Sequence, residues 1–328
     1  GQPLYGRSDM TGFIFRRCVQ AIIVILGVIL IVFILSQLIP GGECKAVNGP
    51  KATVTFCRHW NVLNGYSQPL WVQFWHYIIG LPHLNLGYSY KRTQPVEAVI
   101  AEYLPKTLVL VGTATVIALI IAIPLGILQV VKRNTPADYG LTALSFIFYA
   151  MPPFLLGTLL IIFFSFDHHL LPSQPPSDAS AWAVFTDPRA FIMPMITLCA
   201  ITIASFSRYM RSSMMDELAE DYIRTARAKG ANQRVVLYGH ALRNALIPIL
   251  TLIGLSLPAI VSGALITENV FNYPGMGYLT VQAAQNDDIP LVLGTTLVIT
   301  VATVFGSLLA DILYAVADPR IRFGRAAA

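Results

Sequence analysis

Charge is what this sequence has least of. Asp, Glu, Lys and Arg make up 12% of its 328 residues, against 55% hydrophobic residues. An average soluble domain carries about twice that share of charge. The deficit is concentrated in six stretches: Cys18–Ile39, Thr107–Val131, Leu141–Phe166, and the runs between Arg189 and Arg208, Arg243 and Glu268, and Asp288 and Asp311. None of them holds an Asp, Glu, Lys, Arg or His in its interior. Each is roughly 18 to 26 residues long, and about 20 apolar residues suffice to cross the hydrocarbon core of a bilayer. Six such runs in one chain argue against a large soluble protein with buried core helices.

The same shortage narrows function. Ion-coupled carriers place ionisable side chains deep in the membrane, because relays and ion sites need them. Span interiors without them argue that any transport draws its energy from elsewhere. There is no G-x-x-x-x-G-K-[ST] loop to cradle nucleotide phosphates and no H-E-x-x-H metal helix. A nucleophile elbow and a credible acid/base pair are missing as well. No catalytic or metal-ligating residues are therefore expected, and the chain does not read as an enzyme. His168 and His169 are adjacent without a third ligand, which fits a solvated loop better than a metal site. No internal repeat or low-complexity tract is evident.

Cysteines are few. Cys18 and Cys199 fall inside apolar runs and read as small apolar residues. Cys44 and Cys57 lie in the long polar loop, where two readings stand: a disulfide on an oxidising side, or two free thiols.

The first apolar run exceeds the length of a signal-peptide core and no small-x-small cleavage site follows it, so it reads as a retained span. Residues 1–9, GQPLYGRSD, precede Met10 and are set apart from the fold as a candidate expression remnant. Basic residues mark one side of the membrane. Arg16 and Arg17, Lys132 and Arg133, seven basic residues from Arg208 to Arg243, and Arg320, Arg322 and Arg325 share one set of flanks. The two short loops of the other set hold Arg189 alone. Both termini and the segment 208–243 are therefore expected in the cytoplasm. The net charge of +5 then records membrane orientation and gives no reason to expect nucleic-acid binding.

Within loop 40–106, Trp71, Phe74, Trp75 and Ile78 follow helical spacing and form one apolar face. Two placements stand for it, at the headgroup level or against the outer ends of the spans. Pro95 opens PVEAVIAEYLP, which reads as a short helix ending near Pro105. Pro152 and Pro153 bend the third span, as a pathway feature or as a plain structural kink. Pro274, Gly275 and Gly277 mark a turn.

The most informative segment is Asp221–Pro248, DYIRTARAKGANQRVVLYGHALRNALIP. Thr225, Ala226 and Ala228 are small and allow close approach to another surface. Gly230 allows a sharp turn. From Arg234 a second helix is expected, with Val235, Tyr238, Leu242, Leu246 and Ile249 on its apolar face and Gln233, His240 and Asn244 opposite. A short helix, a turn and an amphipathic helix leading into a span suit docking into a groove on a cytoplasmic partner. A basic helix resting on anionic lipid is the alternative.

RTARAKG followed by HALRNALIP resembles the coupling loop of bacterial ABC importer permeases, in particular the first permease subunit of the dipeptide, oligopeptide and nickel importers. RRCVQAIIVILGVILIVFILSQLIPGG resembles that family's opening span, and LGYSYKRTQPVEAVIAEYLPKTLVL its outer loop and second span. ITENVFNYPGMGYL and ADILYAVADPRIR resemble its last outer loop and C-terminus. The likeness covers nearly the whole chain after residue 12. Three positions depart from the pattern. Arg224-Thr225-Ala226 stands where the general signature has Glu-Ala-Ala, as is common in the peptide branch. PGGE follows the first span where PGDP is usual, and Asn85 replaces an acid.

The resemblance implies an all-α transmembrane fold, the type I ABC importer permease, with six transmembrane helices and a cytoplasmic coupling helix. The implied organisation is a tail (1–12), a first span (13–39), an extracytoplasmic loop with short helices (40–104), a permease core (105–315) and a cytoplasmic tail (316–328). The core spans lie at about 107–131, 141–166, 190–210, 245–267 and 289–312. Implied partners are a second homologous permease subunit, two ABC ATPase subunits that carry ATP and Mg, an extracytoplasmic solute-binding protein and the bilayer. The chain itself holds no cofactor. Glu220, Asp221, Arg224, Thr225, Ala226, Ala228, Lys229 and Gly230 are the implied ATPase contact. Met151, Pro152, Pro153, Ser256 and Ser262 are candidates for the translocation pathway, within 151–156 and 256–265. Asp311 is expected either to pair with Arg208 or Arg211 or to reach water. The resemblance leaves the solute open among dipeptides, longer peptides, glutathione, nickel chelates, haem and sugars. An ion-coupled carrier and a membrane scaffold or exporter are the competing classes.

Overall fold

A computed structural model describes residues 8–37, 42–49, 51–176, 178–262 and 264–317. The side chains of Ser262 and Asp311 lie outside the described residues. In chain order the helices are α1 (Ser8–Ser36), α2 (Gly42–Asn48), α3 (Val54–Leu63), α4 (Leu70–Gly80), α5 (Val96–Val131), α6 (Pro136–Ala150), α7 (Pro153–Leu160), α8 (Ala183–Thr186), α9 (Ile192–Ala219), α10 (Asp221–Ala228), α11 (Leu242–Ser262), α12 (Leu265–Val270), α13 (Met276–Gln285) and α14 (Ile289–Ala317). Among the described residues the only sheet is a two-stranded hairpin, β1 (Tyr88–Ser89) and β2 (Gln94–Pro95), antiparallel with Tyr88 opposite Pro95.

Among the described residues, five helices are long and apolar enough to cross a membrane. A sixth crossing comes from α6 and α7, which meet at a 101° bend. Such a bent pair could cross or could turn back, and the neighbouring contacts decide. α5 and α9 run parallel: the Cys199 thiol donates to the Ala114 carbonyl (3.3 Å) near one end, and Gly126 faces Ser207 and Met210 near the other. The chain between two parallel spans must cross once more. Asp138 of α6 meets Arg211 toward the C-terminal end of α9, and Gly157 of α7 lies against Val270 and Phe271, at the opposite end of the bundle. The pair therefore crosses, with Met151, Pro152 and Pro153 at the bend. Pro152 has no N–H to continue the first helix, and Pro153 opens the second at a position where a missing N–H costs nothing.

α1 runs antiparallel to α14. Phe33 packs with Ile289 and Leu293, while Ile29 joins the cluster that holds Leu297. The bundle's main core lies toward the end that carries α10, where Ala122, Ile127, Phe206, Met210, Met214, Ala241, Ala245 and Ile249 meet. Gly126 permits the closest α5–α9 approach; a Cβ there would sit 2.6 Å from Met210 Cβ and 2.8 Å from the Ser207 carbonyl. Small residues at helix contacts are how membrane helices pack without a hydrophobic driving force.

Three expectations need correction. PVEAVIAEYLP does not form a separate short helix: α5 continues through Pro105 for 36 residues. Val96, Val99 and Ile100 before the proline and Thr107 and Leu110 after it are all buried, and packing on both sides outweighs the local penalty. The apolar run before Glu268 is not one helix, since α11 ends at Ser262 and α12 begins at Leu265. The helix from Arg234 keeps only the later part of its expected apolar face, since Leu242 and Leu246 pack on the core and Ile249 is buried. Val235 and Tyr238 are exposed, whereas Val236, Leu237, Ala241, Ala245 and Ile249 are buried. Residues Val235–Ala241 take a π-helical turn, which shifts the register that a regular 3.6-residue repeat would give.

Candidate coupling surface and outer latch

α10 is short and stands at the C-terminal end of α9 and the N-terminal end of α11. Glu220 precedes it in an extended conformation, Asp221 lies in its first turn and Arg227 in its last, each placed favourably for the helix dipole. Ile223 is fully buried in the inner core. Tyr222 adds a polar tether: its hydroxyl donates to Glu217 Oε2 (2.5 Å) and accepts from Asn244 Nδ2 (3.1 Å). Desolvation, then the bond to Glu217, pushes the Tyr222 hydroxyl up to about 12. It stays protonated and keeps donating at neutral pH.

The helix ends in a closed motif. Gly230 N–H donates to the Arg227 carbonyl (3.0 Å) and Ala231 N–H to the Ala226 carbonyl (3.1 Å). Gly230 holds φ at +83°, the left-handed conformation that such an ending requires. Nothing lies within 4 Å of where its Cβ would be. Its requirement is thus conformational, and space around it is open.

Of the implied contact residues, Asp221, Arg224, Thr225, Ala228, Lys229 and Gly230 are exposed and Ala226 is half-buried. Arg224 bonds Asp221 at 3.1 Å in a pair open to solvent, so it adds little to stability. α10 therefore has one anchored side and one free side. Ile223 was not singled out in the sequence, although it is the lone aliphatic residue between Asp221 and Ala226.

The pathway candidates are not gathered at one place. Met151, Pro152 and Pro153 sit at the α6–α7 bend, and α7 packs on α9 and α12. Ser256 is on α11, which packs chiefly on α14 and α9, and its hydroxyl donates to the Ile253 carbonyl (2.8 Å). Arg211 pairs with Asp138 (2.9 Å). The Arg208 guanidinium lies over the rings of Phe146 (4.8 Å) and Tyr149 (4.6 Å). Thr135 caps α6 and Pro136 opens it, which sets Asp138 in the first turn facing α9.

At the end of the bundle opposite α10, Glu268 is completely buried. Its Oε1 accepts from Thr107 Oγ1 (2.8 Å) and its Oε2 from Tyr278 N–H (3.1 Å). Thr107 Oγ1 in turn accepts from Met276 N–H (2.7 Å), and the Tyr273 hydroxyl donates to the Lys106 carbonyl (2.7 Å). A Cβ at Gly275 would come within 2.5 Å of the Glu268 carboxylate, and one at Gly277 within 2.5 Å of Leu265 Cα. The turn 272–278 thus wraps one carboxylate and ties α12 and α13 to α5. Ser89 Oγ donates to buried Asp288, joining the hairpin to the start of α14. Cys44 and Cys57 are bonded sulfur to sulfur, linking α2 to α3. His168 and His169 each hydrogen-bond Nδ1 to a backbone carbonyl, of Phe163 and Ser165.

Six candidate crossings, a short exposed helix at one end of the bundle and a latched loop at the other make this a multi-pass, all-α membrane protein. Comparison with known proteins places it further. Residues 114–323 match the family described as binding-protein-dependent transport system inner membrane component, and residues 10–111 match the N-terminal region of that membrane component. The chain belongs to this family. It is 35% identical to an oligopeptide transport system permease of Bacillus subtilis, over 96% of this chain and 100% of that protein. It is 36% identical to a dipeptide transport system permease of Escherichia coli, over 95% and 99%. A glutathione transport system permease of Salmonella choleraesuis is 35% identical over 96% and 100%. The fold is that of type I ABC importer permeases, and the chain is one membrane component of a multi-part transport system.

Proposed function

We propose that this permease moves peptides inward across a bacterial cytoplasmic membrane, with both termini cytoplasmic, and that α10 is its coupling helix. Two ATPase subunits bind beneath it and carry ATP and Mg. A second homologous permease completes the pathway, and a solute-binding protein delivers the peptide from outside. The names of the oligopeptide and dipeptide relatives support the solute class, and the basic flanks support the orientation.

The observation that carries the coupling role is the two-sided character of α10. Ile223, together with the Tyr222–Glu217–Asn244 bonds, fixes one side to α9 and α11. A displacement of α10 is therefore passed to two spans at once. The other side offers Arg224, Thr225 and Ala228 to a groove. ATP shifts the permease between states only through differential contact with the ATPases, and this free side is where such contact is available. The α6–α7 bend at Met151–Pro153, with Ser256 and Ser262 of α11, is assigned to the pathway walls.

The test is Ala228→Trp in the assembled transporter. Ala228 is exposed, so the change leaves this chain's packing intact. Gly230→Trp would be a poorer test, because the left-handed backbone there strains any side chain. Membrane insertion should be normal, and uptake and transport-linked ATP hydrolysis should both be lost. Wild-type coupling in that variant would place the contact elsewhere.

A further inference from the structure

The outer helix α4 has three sides with three different surroundings. Successive residues of a helix step by about 100°. Phe74, Tyr77 and Ile78 share one arc and pack against the bundle, where Phe74 and Tyr77 lie with Phe33 at the end of α1 and Ile289 at the start of α14. The Phe33 and Phe74 rings are 5.4 Å apart. Gln73 lies beside this arc and donates through Nε2 to the carbonyls of Gln68 (2.8 Å) and Tyr66 (3.2 Å), while His76 is exposed. Trp71, Trp75 and Ile79 occupy the remaining arc, about 80° wide, and are 73%, 59% and 49% exposed.

The packing of α4 on Phe33 and Ile289 fixes its height. It lies where two apolar spans end, at the boundary between hydrocarbon and headgroups. On the sides of α1 turned away from Phe33, Ile31, Ile34 and Leu35 are exposed and apolar, as a lipid-facing surface must be. The helix carries no Asp, Glu, Lys or Arg. Trp is the residue that membrane interfaces favour, since its ring is apolar and its N–H finds a partner among headgroups.

We infer that Trp71, Trp75 and Ile79 dock into the outer headgroup layer of the bilayer, making α4 a membrane-surface anchor that holds the long outer loop at the rim of the bundle. Lipid is the occupant on two grounds. The exposed stripe stands at span-end height, level with the apolar, exposed end of α1. A helix with no charge also offers no ionic complement to a protein partner.

The test is tryptophan quenching by depth. The full chain with Trp60→Phe and Trp182→Phe retains only Trp71 and Trp75. It is reconstituted in phosphatidylcholine, either plain or brominated close to the glycerol backbone. Emission in the brominated lipid should be about twofold lower, and soluble acrylamide should quench weakly. In a W71F/W75F/W182F chain, which keeps Trp60 alone, the lipid effect should disappear. Strong acrylamide quenching without a bromolipid effect would overturn the inference, as would protection from both that arises only with a bound protein. If W60F/W182F fails to fold, wild type compared with W71F/W75F reads the same difference: bromolipid quenching lost with the two tryptophans supports the anchor, and quenching unchanged refutes it.

Discussion

Arg211 Nη2 lies 2.9 Å from Asp138 Oδ2, joining two helices 73 residues apart in the chain. Asp138 is 2% exposed and also accepts from Asn134 N–H and Thr142 Oγ1. The carboxylate pins the start of α6 to α9, so the crossing that contains the bend has a fixed inner end. Breaking such a pair from one side costs more than the pair is worth, because a buried charge is left alone. Arg211→Met should destabilise by about 3 kcal/mol in thermal unfolding in detergent. Asp138→Asn combined with Arg211→Met should recover most of that loss.

Glu268 gives a pH signature. It lies beyond the end of α11, and its burial raises its affinity for a proton above that of an ordinary carboxylate, with the bonds from Thr107 and the backbone of Tyr278 opposing. The folded chain thus holds this proton more tightly than the unfolded chain does. As pH rises past the ordinary carboxylate range the unfolded state ionises first, and stability falls. Glu268→Gln should remove that decline, so the melting temperatures of wild type and variant should diverge as pH rises from acidic to neutral. Parallel curves would mean that the group does not titrate in this window.

Two glycines of α5 should respond oppositely to the same change. Gly126→Ala must push α5 from α9 and should cost about 1–3 kcal/mol. Gly112 has nothing within 4 Å of its would-be Cβ, so Gly112→Ala should be neutral or stabilising by up to about 1 kcal/mol. Melting temperatures of the two variants measure the contrast.

The Cys44–Cys57 bond should be visible as a thiol count. Denatured protein treated with maleimide should gain two labels, at Cys18 and Cys199, and four after reduction. Four labels without reduction would show the bridge unformed in the cell.

Much of the fold was legible because hydrophobic length is a strong signal: the apolar runs, the bend at Pro152–Pro153 and the short helix before Gly230 all answer to local chemistry. What escaped depends on partners distant in sequence. Asp138 finds Arg211, and Thr107 finds Glu268 across 161 residues. Pro105 looked like a helix end because its neighbours on other elements could not be seen. Leu242, Leu246 and Ile249 face the core as the repeat predicts, while Val235 and Tyr238 do not, because a π-turn over Val235–Ala241 breaks that repeat. Trp71 and Phe74 share a face by spacing alone, yet on α4 Phe74 packs on the bundle and Trp71 is exposed.

The coupling role of α10 is tested most directly by placing a photoactivatable benzophenone side chain at position 228 in the assembled transporter and illuminating it with and without ATP. Cross-linking to an ATPase subunit, with a yield that changes on nucleotide binding, is the predicted result. Cross-linking to lipid alone, or to no protein in a transporter that still hydrolyses ATP during uptake, would contradict it.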